Sequence, residues 1–231
     1  MMTHFVELDL LSLLDFIALA YLLAGAMMIG WLIERVHARR PSVSVLMNDY
    51  RRDWMRQFIT RTPRIFDATV LDGLRQGITF YASACMLALG GGLALLGNAA
   101  PLEGLASDLT VAHPSQVLLK IKVIVVLIFV ANALLKFVWS HRLFGYCSIM
   151  MAAVPNEVAD PEALPRALQA AELNITAARN HNRALRSVYF AMGALGWLLG
   201  AEALLVTTTV TLWVLWRREF ASSSRQTMLR G

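Results

Sequence analysis

Charge is scarce in this chain. Only 16% of its 231 residues are Asp, Glu, Lys or Arg while 57% are hydrophobic, against a charged share of about 25% in soluble domains. That balance excludes an ordinary water-soluble fold. Cysteine is nearly missing: Cys85 and Cys147 are the two present, which rules out a disulfide framework. The opening MMTHFVELDL has neither the positive start nor the small-residue cleavage site of a secretory leader, so the first apolar run is expected to stay as a membrane helix. Phosphate loops, dinucleotide glycine motifs, paired cysteines and nucleophile elbows are all lacking. No two histidines stand four apart, as a helical zinc or haem pair favours.

What the chain does have is hydrophobic length. Four apolar runs, 10–33, 78–96, 117–139 and 188–216, each meet or approach the roughly 20 residues a helix needs to cross about 30 Å of hydrocarbon. No alternating strand pattern competes with them. The expected fold is an all-α integral membrane protein, one membrane domain over residues 1–231, with four transmembrane helices plus amphipathic cytoplasmic helices in segments 35–75 and 142–186.

The formal net charge is +5, and its distribution reads as an orientation signal rather than a nucleic-acid patch. Nine arginines fall between Arg35 and Arg75 and five between Arg142 and Arg186, while the stretch from Ala99 to Gln116 has neither Lys nor Arg. By the positive-inside rule the first and third connections are cytoplasmic, which suits a bacterial inner membrane and places both termini outside. Arg217, Arg218, Arg225 and Arg230 run against this, four against fourteen.

Residues 42–59 place Leu46, Met47, Tyr50, Trp54, Met55, Phe58 and Ile59 at three- and four-residue spacing, with Asp49, Arg52, Asp53 and Arg56 on the other side. Such a helix either lies on anionic headgroups or packs on its own domain. After Pro63 a helix continues into the second span, where Gly90, Gly91 and Gly92 serve either close packing or a flexible point. Asp160 and Pro161 signal the start of a long helix that joins the fourth span. Its Arg179-Asn180-His181-Asn182-Arg183 either grips a phosphate or forms a solvated face.

Embedded charges are the sharpest signals, because a charge in hydrocarbon is costly and has a partner or a purpose. Asp15 and Lys122 lie about 7 to 8 Å inside the outer boundary at 1.5 Å per residue, so they can meet. Lys120 and Lys136 sit nearer helix ends and snorkel. Glu202, fourteen residues from either end of the fourth span, is the deepest charge. It is a hydrogen-bonded protonated carboxyl, an ion pair with Lys122 or Lys120, or a proton or cation site. Gly193, Gly196, Gly200, Ala203 and Thr207 form a small-residue stripe that predicts an oligomer. His4, Glu7, Asp9 and His113 are the external residues from which a ligand site can be assembled.

One further pattern carries a resemblance. Asn48, Arg51-Arg52, Trp54, Leu74-Arg75-Gln76 and Phe80-Tyr81-Ala82-Ser83, followed by Phe137-Val138-Trp139-Ser140-His141-Arg142-Leu143-Phe144 and Val154-Pro155, resemble a family of small bacterial and plant membrane proteins catalogued as domain of unknown function 599. The resemblance implies a multispanning helical membrane protein and supplies no substrate, cofactor or catalytic residue. With no convergent catalytic or metal-binding set, the expectation is a non-enzymatic, oligomeric scaffold or accessory subunit without cofactor or nucleic-acid partner. A channel or transporter using Asp15, Lys122 and Glu202 is the alternative.

Overall fold

The computed structural model describes residues 11–36, 39–97 and 115–230. Helix α1, Leu13–Glu34, opens on a capping box in which the Ser12 hydroxyl takes the Asp15 N–H and the Asp15 carboxylate takes the Ser12 N–H. Ser42 caps α2, Val43–Phe58. The same hydroxyl donates to the Ile33 carbonyl at 2.7 Å, fastening the end of α1 to the start of α2.

Helix α3, Ile65–Gly97, runs unbroken from just after Pro63 through the second apolar stretch. Helix α4, Gln116–Ala152, is capped by Ser115. Its 37 residues span about 55 Å at 1.5 Å each, well beyond one hydrocarbon layer. Helix α5, Ala163–Leu195, follows, two residues later than the start signal suggests, because Asp160 spends its carboxylate on the Glu162 N–H at 2.8 Å. Alanines at 163, 167, 170, 171, 177 and 178 are buried along α5. They let α4 come close enough for Ser140 to donate to the Ala177 carbonyl at 2.7 Å.

The fourth apolar stretch departs from the expected single span. After Leu195 the chain makes a 3-10 turn over Gly196–Leu199, and Gly200 takes φ of +129° before α6, Ala201–Phe220, begins. That φ suits glycine alone, and it reverses the chain. Helix α6 then runs back along α5: Thr207 donates to the Gly193 carbonyl at 2.7 Å, and a Cβ on Gly196 would lie 2.5 Å from the Thr207 hydroxyl oxygen. Three helices, α1, α3 and α4, are long and apolar enough to cross a membrane. The stretch 188–216 is a helical hairpin instead.

Two features follow from the reversal. Gly193 and Gly196, part of the small-residue stripe, pack against Thr211 and Thr207 of α6 inside the hairpin. Helix α6 runs alongside α1 with Asp15 beside Trp197 and Tyr21 beside Thr209, so Leu13 and Phe220 lie at opposite ends of the bundle. The short helix α7, Ser223–Met228, docks beside α2, where Tyr50 donates to the Met228 carbonyl and Arg225 to the Pro41 carbonyl at 3.0 Å.

Among the described residues the core has a small part around Leu119 and Val123 and two large ones. One holds Met55, Phe58, Leu71, Phe137, Phe144 and Met151 against the alanines of α5. The other holds Leu22, Ile29, Phe190, Trp197 and Leu204 between α1, α5 and α6. Met55 and Phe58 bury the apolar face of α2 within the protein, the packed one of its two expected roles.

Candidate functional site

Charged side chains collect at the two ends of the bundle. At the end where α1 begins, the Trp197 indole donates to Asp15 at 2.6 Å, and the Lys122 ammonium stands 5.8 Å from the centre of the indole ring. All three side chains are buried. Glu202, exposed in the first turn of α6, lines the same cavity of about 420 Å³ with Asp15 and Lys122. The expected trio therefore does assemble, but at one end. Glu202 is not the deepest charge, because the fourteen-residue count to each boundary assumed a straight helix.

The other end is built on arginine. Glu34, at the end of α1, accepts from Arg183 Nε at 2.8 Å and also from Arg186. Arg183 and Arg186 stand three apart on α5, so both reach the same carboxylate. Beside them the N–H and hydroxyl of Ser44 donate to Glu219 at 3.0 and 2.8 Å, and Asn182 donates to the Ser44 hydroxyl at 3.2 Å. Glu34, Arg186, Ser44, Glu219 and Asn182, with Asn48, Arg51 and Arg179, line a pocket of about 250 Å³.

Arg51 reaches further in and donates to the Asn174 side-chain carbonyl, and Asn174 in turn meets Cys147 Sγ at 3.7 Å. Burial disfavours the Arg51 charge and pushes its pKa below the ordinary guanidinium range. His181 lies against Phe137 and Tyr81, with ring centroids 5.5 and 6.0 Å away. Burial first, and then the Arg51 charge, push its pKa below the ordinary 6.5, which keeps the imidazole neutral at pH 7.

A family model described as "Protein of unknown function, DUF599" matches residues 17–224. The chain belongs to this family. No curated protein and no solved structure gives a match.

The residues that carried the resemblance to DUF599 gather at the arginine-rich end. Asn48 and Arg51 line its pocket. Arg52 bridges Asp49 and Glu172. The Trp54 indole donates to Asp67 at 2.6 Å, and Arg61 pairs with the same buried carboxylate. Arg75 lines a separate cavity with Asp72 and Arg64, Gln76 is exposed, and Arg142 donates to Tyr146 at 2.7 Å. His141 is half-buried.

Gly90, Gly91 and Gly92 remain helical. A Cβ on Gly92 would run into the Leu127 side chain of α4, while Gly90 and Gly91 face open space. His4, Glu7, Asp9 and His113 lie outside the described residues. Sequence reasoning missed Glu34, Asn174, Trp197 and Glu219. Asn174 did leave a trace, as an amide set in a ridge of alanines.

Proposed function

We propose that this DUF599 protein is a non-enzymatic integral membrane protein that acts as an oligomeric scaffold or accessory subunit. The basic end lies in the cytoplasm of a bacterial cell and touches the anionic headgroups of the inner membrane. The observation that carries this reading is the filled middle of the bundle. Leu22, Ile29, Phe190 and Leu204 are buried between the two polar ends, so Asp15 and Lys122 are held by Trp197 instead of being strung along a wet path. The lengths of α4 and α5 add support, since both continue past one membrane thickness into a helical platform with α2. On this reading the α5–α6 hairpin adds two further crossings, and the basic tail from Arg217 joins the other arginines at the cytoplasmic surface.

The alternative, a pathway for a small ion or solute, draws on the solvent-reachable Glu202 beside Asp15 and Lys122. Cysteines placed one at a time at Leu22, Phe129 and Leu204 separate the two in native membranes. The sealed reading expects no reaction with a water-soluble thiol reagent at any of them, over a background kept low by the burial of Cys85 and Cys147. Reaction at Leu22 or Leu204 sinks it and favours transport. A monomer by native mass in mild detergent removes the oligomeric part.

A further inference from the structure

Helices α1 and α4 both pack on α5 and leave a groove between them of about 550 Å³, a ligand-sized volume. Its walls are of two kinds. Toward the middle of the bundle lie Leu23, Ala26, Met27, Phe129 and Phe190, with the two phenylalanine rings stacked 6.0 Å apart. At the basic end lie Lys136, Arg183, Arg186 and Glu34, with Asn132 donating to Ser187 at 2.7 Å beside them. Lys136 is twenty residues into α4, about 30 Å from its start at 1.5 Å per residue, which is the depth of the far headgroup layer. Trp31, on the same rim, is largely exposed and carries the Arg35 guanidinium 4.7 Å above its ring. A tryptophan in that position suits the interface.

The charges at this end do not balance. Glu34 is taken by both Arg183 and Arg186, and Lys136 has no carboxylate within 4.0 Å among the described residues. Three cations thus line the foot of the apolar channel beside one carboxylate, while Glu219, which also acts on Arg186, lies in the neighbouring pocket and not on the groove. Gly30 keeps the channel wide, since a Cβ there would meet nothing within 4 Å. We propose that this groove is a binding site for one anionic phospholipid, its phosphate held between Lys136 and Arg183 and an acyl chain laid along Met27, Phe129 and Phe190. A soluble phosphate fits the cationic foot alone and leaves the apolar wall uncovered, so the lipid is the occupant that uses both. The assignment depends on α1 and α4 crossing a bilayer, and it deepens the headgroup contact proposed above.

Native mass spectrometry of the protein in mild detergent, incubated with phosphatidylglycerol or phosphatidylcholine, tests it. Retention of phosphatidylglycerol is expected to exceed that of phosphatidylcholine, and Lys136→Gln is expected to lower it about fivefold, the worth of one basic side chain at a charged surface. Lys136→Arg restores it. Gly30→Leu, which fills the channel, lowers retention of both lipids while circular dichroism stays unchanged. Equal retention of the two lipids overturns the proposal, as does undiminished retention in Lys136→Gln. Full displacement by inorganic phosphate assigns the foot to a soluble ligand and overturns the lipid assignment too. Membrane extraction of the same variants is read separately: loss of membrane insertion strikes the bilayer reading itself, whereas normal insertion with no lipid preference strikes the groove alone.

Discussion

Trp197 and Asp15 are joined by a 2.6 Å indole-to-carboxylate hydrogen bond across 182 residues of sequence. It ties the start of α1 to the turn of the hairpin and gives a buried carboxylate a neutral donor. Trp197→Phe keeps most of the apolar volume and removes that donor. A buried carboxylate left short of a partner costs about 1–3 kcal/mol, so the variant is expected to unfold at a lower temperature in detergent. Asp15→Asn in the same background is expected to recover part of the loss.

Gly196 sits where a side chain has no room. An added Cβ lies 2.5 Å from the Thr207 hydroxyl oxygen and 3.1 Å from the Ala203 carbonyl. Overpacking of this kind costs about 1–3 kcal/mol, so Gly196→Ala is expected to destabilise the fold. Thr207→Ala added to it is expected to return part of that stability, because one of the two obstructions is gone. An additive double mutant by thermal melting excludes direct contact.

The neutral state of His181 gives a pH dependence with a definite sign. Its folded pKa lies below the unfolded value of 6.5, so below that pH the unfolded chain binds a proton that the folded chain refuses. The stability from this group is whole above pH 6.5 and is lost as pH falls from there toward the folded pKa. His181→Phe is expected to flatten the stability profile across that window, which melting curves at stepped pH will read.

Arg51 and Asn174 form a part-buried polar link between α2 and α5. A lysine keeps the charge and loses the planar fork. Arg51→Lys and Arg51→Met are therefore both expected to lower the melting temperature, by about 1–3 kcal/mol of lost and unpaired hydrogen bonding. Recovery of wild-type stability by lysine alone leaves charge, not geometry, as the requirement.

The reversal at Gly200 also sets an orientation. A reporter fused after Arg230 is expected to share a compartment with one inserted near Glu157, since α6 ends beside α2 at the basic end. Opposite compartments by paired fusions restore a single final crossing.

Much of this architecture was legible because hydropathy reports burial in lipid. The runs 78–96 and 117–139 each fall inside one helix, and the described part of 10–33 lies in α1 from Leu13 onward. The run 188–216 misled for the same reason: both legs of a hairpin are apolar, so no dip in hydropathy marks Gly200. Its clue was steric. Gly193 and Gly196 fit against Thr207, which a pattern read along one straight helix turns outward to another subunit. The four tail arginines were the other clue: the reversal carries Arg217 and Arg225 to the end of the bundle where Glu219 meets Ser44 and Arg225 meets Pro41. At the basic end, Arg51 and Asn48 stood out by type and pattern. Asn174, the partner of Arg51, did not, because the pairing depends on the angle at which α2 crosses α5, and that angle is set by tertiary packing.

The reversal bears finally on biosynthesis. Neither α5 nor α6 is among the helices long and apolar enough to cross by itself, and each hides its polar threonines or glycines against the other. On the proposed reading in which the hairpin crosses the bilayer, the translocation machinery meets them as a pair whose legs become acceptable to lipid only when closed together. Residues 188–216 would enter late, folded back on themselves against an α1 and α4 already in place, and a nascent chain halted at Gly200 would present a leg with nothing to close against.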